Sequence, residues 1–390
     1  MSTKINVRSP YYVSSSHPSL SSVVIEIFVY SISKPATPQY TIKKYAISGS
    51  TNITFDISNL VLDYIDTSMM TNAGATTLYA GSSMWVDVDI DLLNSSGTSI
   101  TTNSTTYLAT NGYGYFEDSG NPIFGNTYLQ SNDIIYRYAN NIFRVPVYDE
   151  DVTNVSFYND SELLYSQSIT PDTTSTGKIK YVTNLQLGGY ESFEYRVIND
   201  GGTIEKSICL SQFYKQYELY DIDEVRITSS TGIESIKVET INECKYTPIK
   251  VTFYNKYGAL QDVWFFKKSS SKLNTSKDTY SSNGGRFYNP QQAQTNVYNL
   301  KANETIQLNT GFIDEQYSEI MKQLLLSENV WATITNDLPF GSATDTEPKT
   351  DILPVVVDTN SLDIQTKLND KLINYTLDFS FAFNKINDVT

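Results

Sequence analysis

The chain has 390 residues, more than one hydrophobic core usually serves, so two or three domains are expected. Its 40% hydrophobic and only 18% charged residues exclude a disordered acidic tail and a coiled coil, and no eighteen-residue apolar run is present to cross a membrane as a helix. The net charge of −15 argues against a main role in holding the backbone of DNA or RNA, though not against a small basic patch. The opening segment Met1–Val13 lacks an apolar core of signal-peptide length, so secretion by the usual route is not expected.

Alternation of apolar and polar residues dominates the first two thirds. Val23–Ile32 is rich in β-branched and aromatic residues and predicts a strand; Lys34–Pro38, with two prolines, predicts a turn. Tyr40–Ile47 and Ile53–Ile57 predict further strands. Ser58–Ile65 predicts a short helix with Ser58 as N-cap and Leu62 and Ile65 on one face. Trp85–Leu93 returns to a strand. The Gly- and aromatic-rich segment Thr110–Pro122 predicts a loop, with a domain boundary near residue 120.

A second β region follows, with strands at Asn141–Tyr148, Val155–Tyr158, Leu163–Tyr165, Lys178–Val182 and Ser192–Ile198. Asn199–Gly202 predicts a hairpin turn, returning through Thr203–Leu210. Beyond residue 215 a third region offers strands at Ile236–Ile241, Ile249–Tyr254 and Leu260–Phe266, with a turn at Asn255–Gly258. Lys267–Pro290 is a long polar stretch and predicts a loop, the kind that binds something or moves. Asp314–Ser327 predicts one amphipathic helix, capped by Asp314, with Tyr317, Ile320, Met321, Leu324 and Leu325 on its apolar face. Strands are expected at Val330–Ile334, Ile352–Val357 and Ile364–Leu368, then a turn at Asn369–Asp370. The last strand, Lys371–Phe383, sets Tyr375, Leu377, Phe379, Phe381 and Phe383 on one face, which demands a large buried partner surface within the chain or on a neighbouring subunit. The fold class expected is therefore mainly β: two N-terminal immunoglobulin-like β-sandwich domains at 1–120 and 121–215, then a larger β-rich domain at 216–390 with its helix near 314–327.

Residues suited to catalysis are scarce. The single histidine, His17, lies in a polar turn and reads as a loop imidazole, which makes His-based catalysis and His-rich metal sites poor expectations. Glycine-rich phosphate loops and a Gly-x-Ser-x-Gly elbow are missing from the sequence. Asp87, Asp89 and Asp91 share one face of a strand, but a straight strand does not converge oxygens on a cation, so a solvated outer face is expected. Asp149–Asp151 and Asp221–Glu224 fall at turns and fit calcium somewhat better, without the spacing of an EF-hand. Cys209 and Cys244 read as two buried thiols rather than a bridge. The Asn-x-Ser/Thr triplets at Asn52, Asn94, Asn103 and Asn154 are expected by chance in so Asn-, Ser- and Thr-rich a chain. Thirty tyrosines suit wet interfaces or sugar-stacking surfaces, and equally the residue usage of an A+T-rich genome. No catalytic, cofactor-binding or metal-binding residue is expected, no cofactor, and no enzyme.

The opening Lys4–Val13 and the segment Ile53–Ile65 resemble virion structural proteins of tailed bacteriophages with A+T-rich genomes, and Lys250–Gly258 and Asn369–Phe379 resemble the C-terminal parts of the same proteins. The resemblance implies a tail, neck or baseplate component built from β-domains and present as a ring of copies, and it carries over no functional residue. The expectation is a non-enzymatic, homo-oligomeric structural subunit of a virion assembled in the host cytoplasm. Its partners would be copies of itself and other virion proteins, with no membrane and no sequence-specific nucleic acid, near a DNA channel that its negative charge would suit. The alternative is a receptor- or glycan-binding adhesin of the virion, using loop aromatics such as Tyr113 and Tyr115. A glycan hydrolase, which needs two acids facing across a cleft, is the weakest expectation.

Overall fold

The computed structural model describes residues 3–47, 50–67, 69, 83–123, 127–139, 141–148, 150–170, 179–198, 204–218, 221–282, 289, 291–336, 349–362 and 372–385, with backbone alone at 185–198, 204–218, 335–336 and 349–350. The chain is mainly β. It divides into two compact units, Met1–Thr240 with Lys256–Gln261, and Ile241–Asn255 with Asp262–Thr390.

The first unit opens with β1 (Thr3–Asn6), β2 (Tyr12–Ser16), β3 (Ser22–Tyr30), β4 (Tyr40–Tyr45), β5 (Asn52–Asp56), a one-turn helix α1 (Ser58–Leu62), β6 (Ser83–Leu93) and β7 (Ser99–Thr110). Five strands form a sheet in the order β1-β7-β6-β3-β4, with β1 parallel to β7 and the other pairs antiparallel. β2 and β5 make a separate antiparallel ribbon. Ile5, Ile25, Ile27 and Val88 from the sheet, Val13 and Phe55 from the ribbon, and Val61 from α1 share one core. Period-two alternation puts these side chains on a common face and turns their neighbours outward. Ser58 does not cap α1. Its own N–H and hydroxyl donate to Asp56 Oδ1, at 3.1 and 2.7 Å. Val61 and Ile65 face the core and Leu62 is 37% exposed, because a single turn does not sustain the i, i+3 relation expected of Leu62 and Ile65.

A second core in the same unit is built from β8 (Ile134–Tyr138), β9 (Arg144–Tyr148), β10 (Val152–Asn159), β11 (Glu162–Ser168), β12 (Ile179–Thr183), β13 (Leu185–Ile198), β14 (Ile204–Glu218), β15 (Glu224–Ser229) and β16 (Gly232–Ile241). The sheet β11-β10-β15-β16-β8 and the pair β12-β9 contribute Phe143, Val145, Val147, Val155, Phe157, Val182, Val225 and Ile236 to it. β15 and β16, which follow residue 215, thus complete this second sheet. β13 and β14 form a long two-stranded ribbon, and the turn expected at Asn199–Gly202 lies outside the described residues.

The second unit carries β17 (Ile249–Tyr254), β18 (Leu260–Phe265, which begins in the first unit), β19 (Ser270–Ser281), β20 (Thr295–Asp314), a helix α2 (Tyr317–Leu325), β21 (Val330–Asn336), β22 (Lys349–Val357) and β23 (Leu372–Phe381). One seven-stranded sheet runs β18-β17-β21-β22-β23-β20-β19. Ile373, Tyr375, Leu377, Phe379 and Phe381 of β23 are buried within the chain, and the Phe379 ring meets Phe265 edge-on at 5.8 Å. Phe383 lies past the strand end and is 42% exposed, so it does not join that face. α2 starts three residues later than expected: Asp314 ends β20 and its Oδ1 accepts from Gln316 N–H instead of capping the helix. Tyr317, Ile320, Met321, Gln323 and Leu324 are buried, while Leu325 is only half-buried. The expected elements Ile364–Leu368 and Asn369–Asp370 lie outside the described residues.

β20 is held in place by a bulge. Its register with β23 shifts between Asn309 and Phe312, and Gly311 adopts φ +75° there. A glycine takes that angle without the clash a Cβ would meet. Asn309 Oδ1 accepts from Gly311 N–H at 2.8 Å, and Thr310 Oγ1 accepts from Tyr375 N–H at 3.0 Å. The two side chains satisfy backbone donors that the interrupted ladder would otherwise leave unpaired.

Candidate functional site

The stretch read from sequence as a long polar loop, Lys267–Pro290, contains β19, and this is the largest departure from expectation. β19 pairs antiparallel with the first half of β20, from Ser270 opposite Gln307 to Ser281 opposite Thr295. All twelve of its residues are exposed. Its other side borders no strand among the described residues, so it is the edge of the seven-stranded sheet. At an antiparallel edge every second residue turns its N–H and C=O outward, a template for another strand.

The hairpin also exposes apolar surface. Leu273, Tyr280, Val297, Tyr298 and Leu300 are 43–56% exposed, and the rings of Tyr280 and Tyr298 meet edge-on at 5.9 Å. A second bulge sits opposite Lys277, between Tyr298 and Lys301, where Asn299 takes φ +49° and donates to Asp278 Oδ2 at 2.9 Å. The sheet's opposite edge is different in kind: β18 has only six residues, each buried or half-buried. No alternation marked β19 as a strand. The usable signals were its β-formers Thr275, Thr279 and Tyr280 and the absence of glycine and proline from Ser269 to Asn283.

The acidic face of β6 is not simply solvated. Each carboxylate faces a hydroxyl residue directly across on β7: Asp87 opposite Thr106, Asp89 opposite Ser104 and Asp91 opposite Thr102. Thr106 Oγ1 donates to Asp87 at 2.6 Å, Ser104 Oγ to Asp89 at 2.5 Å, and Ser99 and Thr102 both donate to Asp91. Lys34 bridges the first two, 2.8 Å from Asp89 and 3.5 Å from Asp87. Asp87 is 7% exposed. Burial and its charge, with a hydrogen bond to it, push the Tyr30 phenol up to about 12. Burial also pushes the Asp89 carboxyl up, but hydrogen bonds from Lys34 and Ser104 and the Lys34 charge outweigh it and hold Asp89 below its usual range. These carboxylates knit β6 to β7. Among the described residues, no group of three or more His, Cys, Asp or Glu is arranged to hold a metal ion.

The other singled-out residues are scattered. Half-buried His17 accepts from Ser19 N–H at Nδ1, 3.1 Å away, closing its own turn. Tyr113 is buried rather than displayed: the Arg8 guanidinium lies 4.8 Å from its ring centre, and its N–H donates to the Lys256 carbonyl. Tyr115 meets Tyr113 edge-on, and Lys256 lies over its ring. Cys244 is an exposed free thiol, not a buried one; the Cys209 side chain and Asp149 lie outside the described residues. Asp151 is buried beside Lys4, whose Nζ sits 3.5 Å above the Tyr148 ring. Burial pulls the Lys4 ammonium down against the pull of Asp151 and Glu150. Lys4 and Tyr148 line a cavity of about 20 Å³ with Asn6, Thr110, Leu129, Ile179 and Tyr257, room for one water and not for a substrate. Asp223 Oδ2 accepts from Asp160 N–H, and Glu224 forms a two-pronged ion pair with Arg226. Asn94 Oδ1 accepts from Ser96 and Thr98 N–H to close the β6–β7 turn, and Asn154 Oδ1 accepts from Ser156 and Ser166.

Sequence reasoning passed over Arg137. It is fully buried in β8, where Nε donates to Thr240 Oγ1 at 2.7 Å and the guanidinium lies 5.8 Å from the Phe143 ring. Its terminal nitrogens have no hydrogen-bond partner among the described residues, and burial lowers its pKa against the attraction of Asp221.

No protein-family model matches the chain, and no curated protein matches it.

Proposed function

We propose that the chain is a non-enzymatic structural subunit of a tailed-phage virion, a tail, neck or baseplate component that works through contacts with copies of itself and with other particle proteins. The observation that carries this reading is β19, a twelve-residue edge strand exposed along its whole length. A strand that buries nothing in its own chain gains little from folding there, while an unpaired edge is the standard means of β-strand addition between chains. The resemblance of Lys4–Val13, Ile53–Ile65 and Lys250–Gly258 to phage virion proteins supplies the setting. The carboxylates most suggestive of chemistry, Asp87, Asp89 and Asp91, are engaged in cross-strand hydrogen bonds, which supports a structural role for them.

Mass spectrometry and immunogold electron microscopy of purified particles of the encoding phage test the proposal. The chain is expected at a fixed stoichiometry and at one place in the particle; particles that lack it would refute the reading. The receptor- or glycan-binding alternative draws on exposed aromatic rings. Tyr113 is buried, so that reading rests on Tyr280 and Tyr298. Host-cell or glycan binding by the isolated chain, lost in Tyr280→Ala with Tyr298→Ala, would favour it.

A further inference from the structure

We infer that β19 is the edge through which two copies of this chain pair, antiparallel, about a two-fold axis through Thr275. The inference rests on the assembly reading above and specifies its contact.

The two edges of the seven-stranded sheet are unequal. β18 is short and its side chains are buried or half-buried, whereas β19 is long and exposed at every position. A contact that joins like to like needs only the second of these, and a two-fold axis supplies it: the same patch serves both partners.

The sequence of β19 then selects a register. Its charged residues are Lys272, Lys277 and Asp278. With Thr275 opposite Thr275 of a second copy, Lys272 faces Asp278 and Asp278 faces Lys272, so the axis generates two ion pairs. The same register sets Leu273 against the aliphatic stem of Lys277, Asn274 against Ser276, Ser271 against Thr279 and Ser270 against Tyr280. Eleven of the twelve residues find a partner. Because opposed residues must share a face, the axis can move only from residue to residue, and the neighbouring registers are centred on Asn274 and Ser276. The first sets Lys272 against Ser276 and Asp278 against Ser270, the second Lys272 against Tyr280 and Asp278 against Asn274, so neither forms an ion pair. Opposite charges directly across a sheet stabilise it, and only the Thr275-centred register makes such pairs, so it is favoured over both neighbours.

The side chains are available for this. Among the described residues Lys272 forms no ion pair and the Asp278 carboxylate accepts from Asn299 alone, at Oδ2, which leaves acceptor capacity. Lysines alone would blunt the edge against any strand. With Asp278 placed six residues on, they discriminate instead, favouring a second copy of this strand over an arbitrary one.

The test uses the full chain in a Cys244→Ser background, because the exposed native thiol would cross-link copies by itself. Thr275→Cys is expected to give a disulfide-linked dimer under mild oxidation, since residues directly opposite in an antiparallel pair lie about 5 Å apart at Cα, within disulfide reach. Ser271→Cys is the control: its two copies would stand about 27 Å apart and should not link. In sedimentation, Lys272→Asp and Asp278→Lys should each weaken the dimer at least about tenfold, and the double exchange should restore it. Both positions are exposed, and circular dichroism checks that the variants stay folded. Failure of Thr275→Cys to link, failure of the double exchange to rescue, or a monomer at every concentration would overturn the pairing. An oligomer indifferent to these changes would overturn the pairing and leave the assembly reading standing, which the particle experiment tests separately.

Discussion

β23 and β19 flank the same strand, β20, and belong to the same sheet, yet different forces hold them. β23 alternates, with Ile373, Tyr375, Leu377, Phe379 and Phe381 on a buried face. Five such side chains contribute on the order of 10 kcal/mol of burial. β19 buries none of its twelve, and its ladder with β20 is what holds it. Backbone hydrogen bonds exchanged against water stabilise by little on balance, and ordering twelve residues is costly. The first unit shows an intermediate case. The exposed stretch of β7 is fastened by hydroxyls donating to Asp87, Asp89 and Asp91, so side-chain polarity there does what burial does for β23. β19 has no buried face, and its side chains add only such exposed contacts as Asn299 to Asp278 and Asn274 to Thr305.

The comparison breaks first at Phe379. Phe379→Ala removes a fully buried ring stacked edge-on against Phe265 and should cost about 3–5 kcal/mol, read as a fall in the urea midpoint of the second unit. An effect under ~1 kcal/mol would mean that β23 is no better anchored than β19. Gly311→Ala should cost about 1–2 kcal/mol, because φ +75° is strained for any residue with a Cβ, which here would also approach Lys267 to 3.0 Å.

Acid sharpens the contrast with β7. Asp89 is depressed in the folded state, so the unfolded chain takes up the proton first as pH falls. Its stabilisation is therefore present above the ordinary value of 3.8 and is lost as pH falls below it through the lower folded value. Asp89→Asn should flatten that acid limb in pH-dependent denaturation and cost no more than about 1 kcal/mol at neutral pH, since the Lys34 pair is partly exposed. The smallest effect belongs to β19: Leu273→Ala, at a side chain 56% exposed, should move stability by less than about 0.5 kcal/mol.

What the sequence disclosed follows the same physics. β3, β6 and β23 were legible because one buried face imposes a period of two, and the apolar face of α2 because burial imposes a period near four. β19 was illegible because nothing is buried by it: Ser270–Ser281 carries no alternation to read. The first turn after Asp314 was misassigned because the same carboxylate that suits a helix cap also suits the end of a strand, and tertiary pairing with Leu372 decided between them. Tyr113 looked like a displayed ring because its neighbours are glycines; Arg8, distant in sequence, lies over the ring, and the Lys256 carbonyl accepts from its N–H. Arg137 gave no sign at all, since an arginine between two tyrosines in Ile134–Tyr138 reads as an outward residue of a half-polar strand.

The bulge at Asn299 and Leu300 has an evolutionary corollary. It is a one-residue insertion in the outer stretch of β20, lying where side chains are solvent-facing and no core constrains the count. Adding or removing a residue at that point would invert which side of the hairpin Val297 and Tyr298 present, while leaving everything from Ala302 inward in place. The outer end can thus be re-faced toward a new neighbour by a single codon, with the folded body of the unit untouched.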